Sequence, residues 1–303
     1  MVEGVVQDRR QFAIALTLVS YLLFTLIDTC AKWLTLRGMP TGQVVFVRYA
    51  GQFILVLALF APRYGIQMLR TQRPGLEVLR GLALLGSTAG NFVALAYLPL
   101  TVTASIAFTV PLILSALSVP LLGEKVGWRR WLAILVGFCG VLIIIRPGTE
   151  AFQPVSLFSL AAAASVSIYM ILTRKLAGID PPETQQFYAG TVATVCLLPF
   201  ALADWMWPVD PIDWLAFCMI GAVALIGHQI LSFAHHFAPA SVLAPFGYVQ
   251  IFYMSASSWL IFNQPPDSWI FVGAPVVMAS GLYIWLRERQ LSRHVVTGVT
   301  VRD

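Results

Sequence analysis

Apolar residues in this chain do not alternate with polar ones at the period of a half-buried strand. They run on for about twenty positions at a time, broken by short polar seams. A helix that crosses a bilayer needs about 20 mostly apolar residues. Ten such runs can be read: 12–36, 43–61, 76–98, 101–121, 128–145, 156–176, 184–203, 213–236, 240–262 and 268–286. The seams are brief, for example "RPGTEAFQP" at 146–154 and "NQPPD" at 263–267, and leave no room for a soluble domain. The pattern predicts an all-α polytopic membrane protein with ten transmembrane helices.

Composition agrees. Of 303 residues, 58% are hydrophobic and 11% charged, where soluble domains carry about 25% charged residues. The basic residues then set the orientation. With an even number of spans both termini share a side, and on that side lie Arg9, Arg10, Arg63, Arg70, Arg73, Arg80, Lys125, Arg129, Arg130, Arg174, Lys175, Arg287, Arg289, Arg293 and Arg302. Arg37 and Arg146 lie on the other side, and Lys32 and Arg48 fall inside spans. Short cytoplasmic loops hold the excess of Lys and Arg, so both termini are expected in the cytoplasm and the protein in a bacterial inner membrane. The net charge of +5 then reflects topology. The partners expected are the lipid bilayer and a small-molecule substrate, with no nucleic acid. "DRRQFAIA" at 8–15 is similar to a twin-arginine signal. The apolar run behind it exceeds a signal's 7–15 residues and no small-residue cleavage site follows, so span 1 is expected to stay.

The chain can be laid on itself at a shift of about 140 residues. Tyr49-Ala50-Gly51 falls on Tyr188-Ala189-Gly190, Pro99 on Pro239 and Glu124 on Gln264. With one residue inserted, Trp128, Gly140 and Arg146 fall on Trp269, Gly281 and Arg287. Each copy holds five spans, an odd number, so the second enters the membrane inverted, as in alternating-access transporters.

The stretch "ALAYLPLTVTASIAFTVPLILSALSVPLLGEKVGWRRWLAILVGFCGVLIIIRP", Ala94 to Pro147, resembles the second half of an EamA repeat of the drug/metabolite transporter superfamily. It has that repeat's Pro inside the fourth span and its Gly-Glu just after it; the second copy carries Asn263-Gln264 instead. The resemblance covers nearly the whole chain and is greatest to bacterial YddG-type amino-acid exporters. It implies two inverted five-helix repeats, 1–147 and 148–290, followed by a cytoplasmic tail at 291–303. It also implies a midplane site among spans 1, 3, 4, 6, 8 and 9, and export of aromatic and other neutral amino acids or related metabolites by alternating access. The alternatives are a carrier of other metabolites or drugs, nucleotide sugars included, and a non-transporting membrane enzyme or scaffold.

Within the spans, charges cost about 2.5–3.5 kcal/mol each at mid-helix on insertion scales. Asp28 and Lys32 are four apart with the acid first, the better order for pairing, and Arg48 in span 2 is a possible third member. A structural ion pair and a substrate or coupling role both stay open. Of 14 Asp and Glu, Asp28 alone is read as lying well within a span, with Glu124 at the end of span 4 and the rest in loops or tails. Ion-coupled carriers generally use embedded acids, so facilitated transport or exchange is expected.

Polar side chains fall in helical stripes: Phe246, Gln250, Tyr253 and Ser257 in span 9, and His228, Ser232 and His235 in span 8. From these and from spans 3, 4 and 6, the candidate substrate contacts are Asn91, Ser105, Tyr169, His228, Gln250 and Tyr253. Ring faces suit the body of a zwitterion and donors its carboxylate; interhelical hydrogen bonding is the competing use of the same residues. Pro111, Pro199, Pro245 and Pro275 interrupt spans, with Pro111 and Pro245 placed beside polar stripes. Gly86 and Gly90 form a small-residue pair, and Trp128, Trp205, Trp207, Trp214 and Trp269 suit the membrane interface. Cys30, Cys139, Cys196 and Cys218 are scattered, which predicts no disulfide. His228, His235 and His236 lack a nearby Cys or carboxylate, so no metal is expected. No phosphate loop, nucleophile elbow or His-Glu-x-x-His motif occurs, so neither a cofactor nor an enzyme is expected. Buried cations beyond Lys32 and Arg48 are too few to hold a diphosphate.

Overall fold

A computed structural model describes residues 3–123, 127–176, 178–238 and 240–296, so Glu124, Lys125, Pro239 and Arg302 lie outside the described residues. Every regular element among them is helical: α1 (Glu3–Leu36), α2 (Thr41–Tyr64), α3 (Pro74–Tyr97), α4 (Leu100–Ala107), α5 (Val110–Leu122), α6 (Trp128–Ile145), α7 (Ser156–Leu176), α8 (Pro182–Ala203), α9 (Pro211–Ala234), α10 (Ala240–Leu243), α11 (Gln250–Phe262) and α12 (Ser268–Val296). Short 3₁₀ segments occupy Gly65–Leu69 and Ala244–Val249. Nine stretches among the described residues are long and apolar enough to cross a membrane. The outer helices overrun their expected spans, α1 starting at Glu3 and α12 ending at Val296. At 1.5 Å per residue the 34 residues of α1 reach about 50 Å, well beyond a hydrocarbon layer of about 30 Å.

Two expected spans are not single helices, and prolines explain both. Span 4 is α4 and α5 with a break at Phe108 and Thr109. Pro111 has no N–H to return to the Ala107 carbonyl, and Thr109 tightens the turn by donating its amide at 2.9 Å and its hydroxyl at 2.7 Å to the Ile106 carbonyl. Span 9, expected as one helix over 240–262, is instead α10, the 3₁₀ segment and α11. Pro245 opens that 3₁₀ segment, and Gly247 within it packs where an added Cβ would stand 2.7 Å from the Tyr21 hydroxyl.

The helix packing repeats itself. α1 packs on α9 and α3 on α7; α2 packs on both α8 and α9, and α3 on α8; α4 meets α11 and α6 meets α12. Exchanging the first five spans for the last five turns α1 with α9 into α7 with α3. It turns α2 with α9 into α8 with α3, and leaves the α2–α8 and α6–α12 pairings as they are. A two-fold axis in the membrane plane has this effect. Glycine allows the closest approaches: Gly221 of α9 lies against Gly51 of α2, and Gly90 and Gly86 of α3 lie against Ala162 and Ser165 of α7.

Candidate functional site

A cavity of about 270 Å³ lies between the two sets of helices. Its polar wall is made by Asp28 of α1, Arg48 of α2, Ser87, Thr88 and Asn91 of α3, Thr103 of α4, Ser159 of α7, His228 of α9 and Gln250 at the start of α11. Phe24, Ile27, Phe92 and Met254 complete it with apolar surface. Ala107 and Val110, on either side of the first break, and Gln250, just after the second, line the cavity, and irregular backbone is tolerated where it borders a cavity.

The charges here are separated. The Asn91 amide donates to Asp28 Oδ1 at 3.0 Å. Arg48 is 6% exposed, with its guanidinium 4.5 Å from the Tyr49 ring. Tyr49 is itself fixed by its hydroxyl, which donates to the Leu84 carbonyl at 3.1 Å and lies 2.8 Å from Thr88 Oγ1. Arg48 Nε and Nη1 are buried with no hydrogen-bond acceptor, and the buried Ser159 hydroxyl is also unpaired. Asp28 and Arg48 face the same space, yet no salt bridge joins them among the described residues. His228 stands across from Phe24, ring centroids 4.9 Å apart.

The structure gathers Asp28, Arg48, Asn91, His228 and Gln250 at this cavity and takes the other candidates elsewhere. Ser105 is fully buried and donates to the Thr101 carbonyl at 2.7 Å. The Tyr169 hydroxyl accepts from Arg80 Nη2 at 3.0 Å, with the guanidinium 4.7 Å from its ring. Tyr253 is half-buried and off the cavity wall. The expected Asp28–Lys32 pair does not form. Lys32 is 1% exposed and donates to the Leu98 carbonyl at 2.5 Å and the Leu95 carbonyl at 3.2 Å. Those carbonyls belong to the C-terminal end of α3, where backbone acceptors lack helical partners and the dipole is negative.

The count of embedded acids also changes. Glu77, Asp180 and Asp213 are all buried, Glu77 completely. Glu77 and Asp213 sit in the first turns of α3 and α9, each of which opens on a proline. A Pro followed by an acid within the first turn is a readable helix start, but it does not say that another segment will cover that turn. At the α9 start, the Trp33 indole donates to Asp213 Oδ1 at 2.7 Å, and Arg37 lies 3.6 Å from Asp213 and 3.4 Å from Asp210. At the α3 start, Arg80 donates to Thr173 Oγ1 at 2.8 Å and to the Gln185 carbonyl at 2.9 Å, with Glu77 Oε2 3.5 Å from Nη1. Because the two-fold exchanges α1–α9 with α7–α3, these are matching latches at opposite ends of the molecule.

Among the described residues no three His, Cys, Asp or Glu are placed to hold a metal. His228 faces the cavity, whereas His235 and His236 are exposed and turned to the Leu231 carbonyl and the Phe233 ring.

Similarity to other proteins covers nearly the whole chain. The S-adenosylmethionine uptake transporter of Rickettsia prowazekii is 29% identical over 277 residues, 90% of this chain and 92% of that protein. The riboflavin transporter of Vibrio cholerae is 31% identical over 280 residues, 91% and 93% of the two chains. The pseudopaline exporter CntI of Pseudomonas aeruginosa is 25% identical over 279 residues, 91% and 96%. A solved crystal structure shares the fold with a TM-score of 0.62 at 19% identity, over 91% of this chain and 98% of the other. These relatives are small-metabolite transporters of bacteria, which places the present chain as a multi-pass transporter of the bacterial inner membrane. The model of the EamA-like transporter family matches twice, over residues 11–146 and 153–286, and the chain belongs to that family.

Proposed function

We propose that the chain carries an amino acid, or a metabolite built on one, through the Arg48 cavity by alternating access. One observation carries this reading: a buried guanidinium with two unpaired N–H edges shares a cavity with a carboxylate that is held away from it. A solute with both a carboxylate and an ammonium group complements that pair. Its carboxylate takes the fork of Arg48, which suits planar bidentate anions, and its ammonium takes Asp28. Phe24 and Phe92 supply apolar surface for the side chain.

The cavity volume supports a small solute. About 270 Å³ lies just under the range of about 300–1,000 Å³ usual for drug-sized ligands. S-adenosylmethionine, the substrate in one relative's name, also bears an α-amino carboxylate; riboflavin, in another, bears no carboxylate. The relatives are named for uptake and for export, so export from the cell, expected from the sequence, is part of what the assay must establish.

The test is counterflow in proteoliposomes loaded with unlabelled solute, using labelled phenylalanine, methionine, S-adenosylmethionine and riboflavin, in wild type and Arg48→Gln. Truncating one partner of a buried charged contact costs about 2–5 kcal/mol, so accumulation of a carboxylate-bearing solute should weaken by about 30-fold or more. Accumulation of riboflavin alone, or an Arg48→Gln variant indistinguishable from wild type, contradicts the proposal.

A further inference from the structure

α6 and α12 meet backbone to backbone at two glycines. A Cβ added at Gly273 would stand 2.7 Å from the Gly140 carbonyl oxygen, and one at Gly140 would stand 3.0 Å from that of Gly273. Towards the start of α6 this contact gives way to a groove of about 620 Å³ between the same two helices, more than twice the volume of the Arg48 cavity at about 270 Å³. The groove opens outward: Trp128, Leu132 and Val136 of α6 and Ala279 and Tyr283 of α12 line it and are all exposed. It shares no residue with the Arg48 cavity. In a chain that spans the bilayer, this face meets lipid. Trp128 and Val136 are eight positions apart, about 12 Å along a helix, close to the half-thickness of about 15 Å that one leaflet's hydrocarbon occupies.

Charge then narrows the occupant. Among the residues that line the groove, Arg129 carries the one charge, and it is exposed with its guanidinium 5.6 Å from the Trp128 ring. The two-fold exchanges α6 with α12, so the two ends of this helix pair are equivalent positions. At the opposite end the arginine is used up within the chain: Arg146 is paired with Asp267 and lies 5.9 Å from the Trp269 ring. At the groove no lining residue is acidic. We propose that the groove binds one anionic phospholipid, with the phosphate on Arg129 and an acyl chain along the furrow between α6 and α12. Lipid tails are as apolar as the helices, so burying the chain supplies no hydrophobic preference; the walls supply van der Waals contact and the headgroup supplies the selectivity. The planar fork of arginine suits phosphate oxygens, and basic pockets between spanning helices hold anionic headgroups. A zwitterionic lipid brings a second cation to the same place. A second copy of the chain, docked on this face by a two-fold, would bring two Arg129 side chains into one interface with no acid among the lining residues.

Native mass spectrometry of the full-length protein, titrated in detergent with phosphatidylglycerol or with phosphatidylcholine of the same acyl chains, reads the site. In wild type the first lipid bound should favour phosphatidylglycerol by at least about fivefold, the effect of one Arg near an anionic headgroup. Arg129→Gln should bring the two lipids to equal affinity, whereas Arg63→Gln, exposed and off the groove, should keep the preference. Ala279→Phe places a ring in the furrow and should lose the tightly held first lipid of either kind. A wild type without the preference overturns the proposal. Equal losses in Arg129→Gln and Arg63→Gln also overturn it, because they assign the preference to the basic surface as a whole. A wild-type dimer that retains no lipid and that Ala279→Phe dissociates gives the groove to a second copy, and overturns it too. If Ala279→Phe does not stay monodisperse, Leu132→Phe on the facing helix takes its place.

Discussion

At Gly221 of α9 an added Cβ would stand 2.8 Å from the Gln52 amide nitrogen and 2.9 Å from the Cα and carbonyl carbon of Gly51. Ordinary contact begins near 3.4 Å, so Gly221→Ala forces α2 and α9 apart by about 0.6 Å, and the obstacle is backbone with no rotamer to yield. Overpacking of this kind costs about 1–3 kcal/mol. Alanine returns about 0.5–1 kcal/mol through its better helix propensity, which leaves a net loss of about 1–2 kcal/mol. The two-fold supplies an internal control. Gly81 of α3 meets α8 through the Val192 side chain, with Cβ at 3.0 Å and both methyls at 3.3 Å. That obstacle sits on one side chain and needs a shift of only about 0.4 Å, so Gly81→Ala should stay within about 1 kcal/mol of wild type, with the propensity gain offsetting the contact. At roughly 2–4 °C per kcal/mol, thermal unfolding in detergent should place Gly221→Ala about 3–6 °C below wild type and Gly81→Ala close to it. Equal losses in the two variants would refute the distinction between backbone and side-chain obstacles.

Asn91→Ala removes the donor that holds Asp28 off Arg48. Losing a charge-assisted hydrogen bond worth about 1.5–3 kcal/mol lets the two charges pair and should raise the half-saturating concentration for a transported amino acid by at least about tenfold, measured by counterflow. Asp213→Asn breaks the Trp33–Arg37 latch, so a Ser87→Cys reporter in the cavity should react with a membrane-impermeant maleimide at least about tenfold faster; an unchanged rate contradicts a gating role. Pro111→Ala returns the missing N–H to the Ala107 carbonyl and should join α4 to α5, giving a more thermostable protein that transports more slowly. A variant unchanged in both would show that the break is not set by the proline.

The spans, their order and most of the cavity can be read from hydrophobic runs and helical stripes because a bilayer imposes both. Asp28, Arg48, Asn91, His228 and Gln250 stand out as polar residues inside apolar segments. Several residues that sequence reasoning places elsewhere meet partners that are distant along the chain. Lys32 suits Asp28 by spacing, but the free carbonyls at the end of α3 lie within its reach. Glu77 and Arg80 look like loop charges because nothing local shows that the α7–α8 link will cover them. Thr103 and Ser159 line the cavity as ordinary helix hydroxyls with no local mark, and the close approach of Gly247 to Tyr21 joins segments more than 200 residues apart.

The same two-fold that makes the latches match also explains why they can act differently. Inverted repeats guarantee that a contact at one end has a counterpart at the other, which is the minimum for a carrier that closes one side as it opens the other. Symmetry of position does not require symmetry of charge. At the α9 start, Asp213 meets an indole donor and Arg37, which is 46% exposed at its side chain, so one partner of that contact reaches water. At the α3 start, the Arg80 and Glu77 side chains are 4% and 0% exposed, and Arg80 also donates to Thr173 and Gln185. An ion pair with one partner in water is weakened because solvent screens it. A fully buried one is harder to break, because screening is least there and separation leaves an unpaired charge. Directional bias in this fold can therefore come from how deeply each of two equivalent contacts is buried, with no change in the helices that carry them.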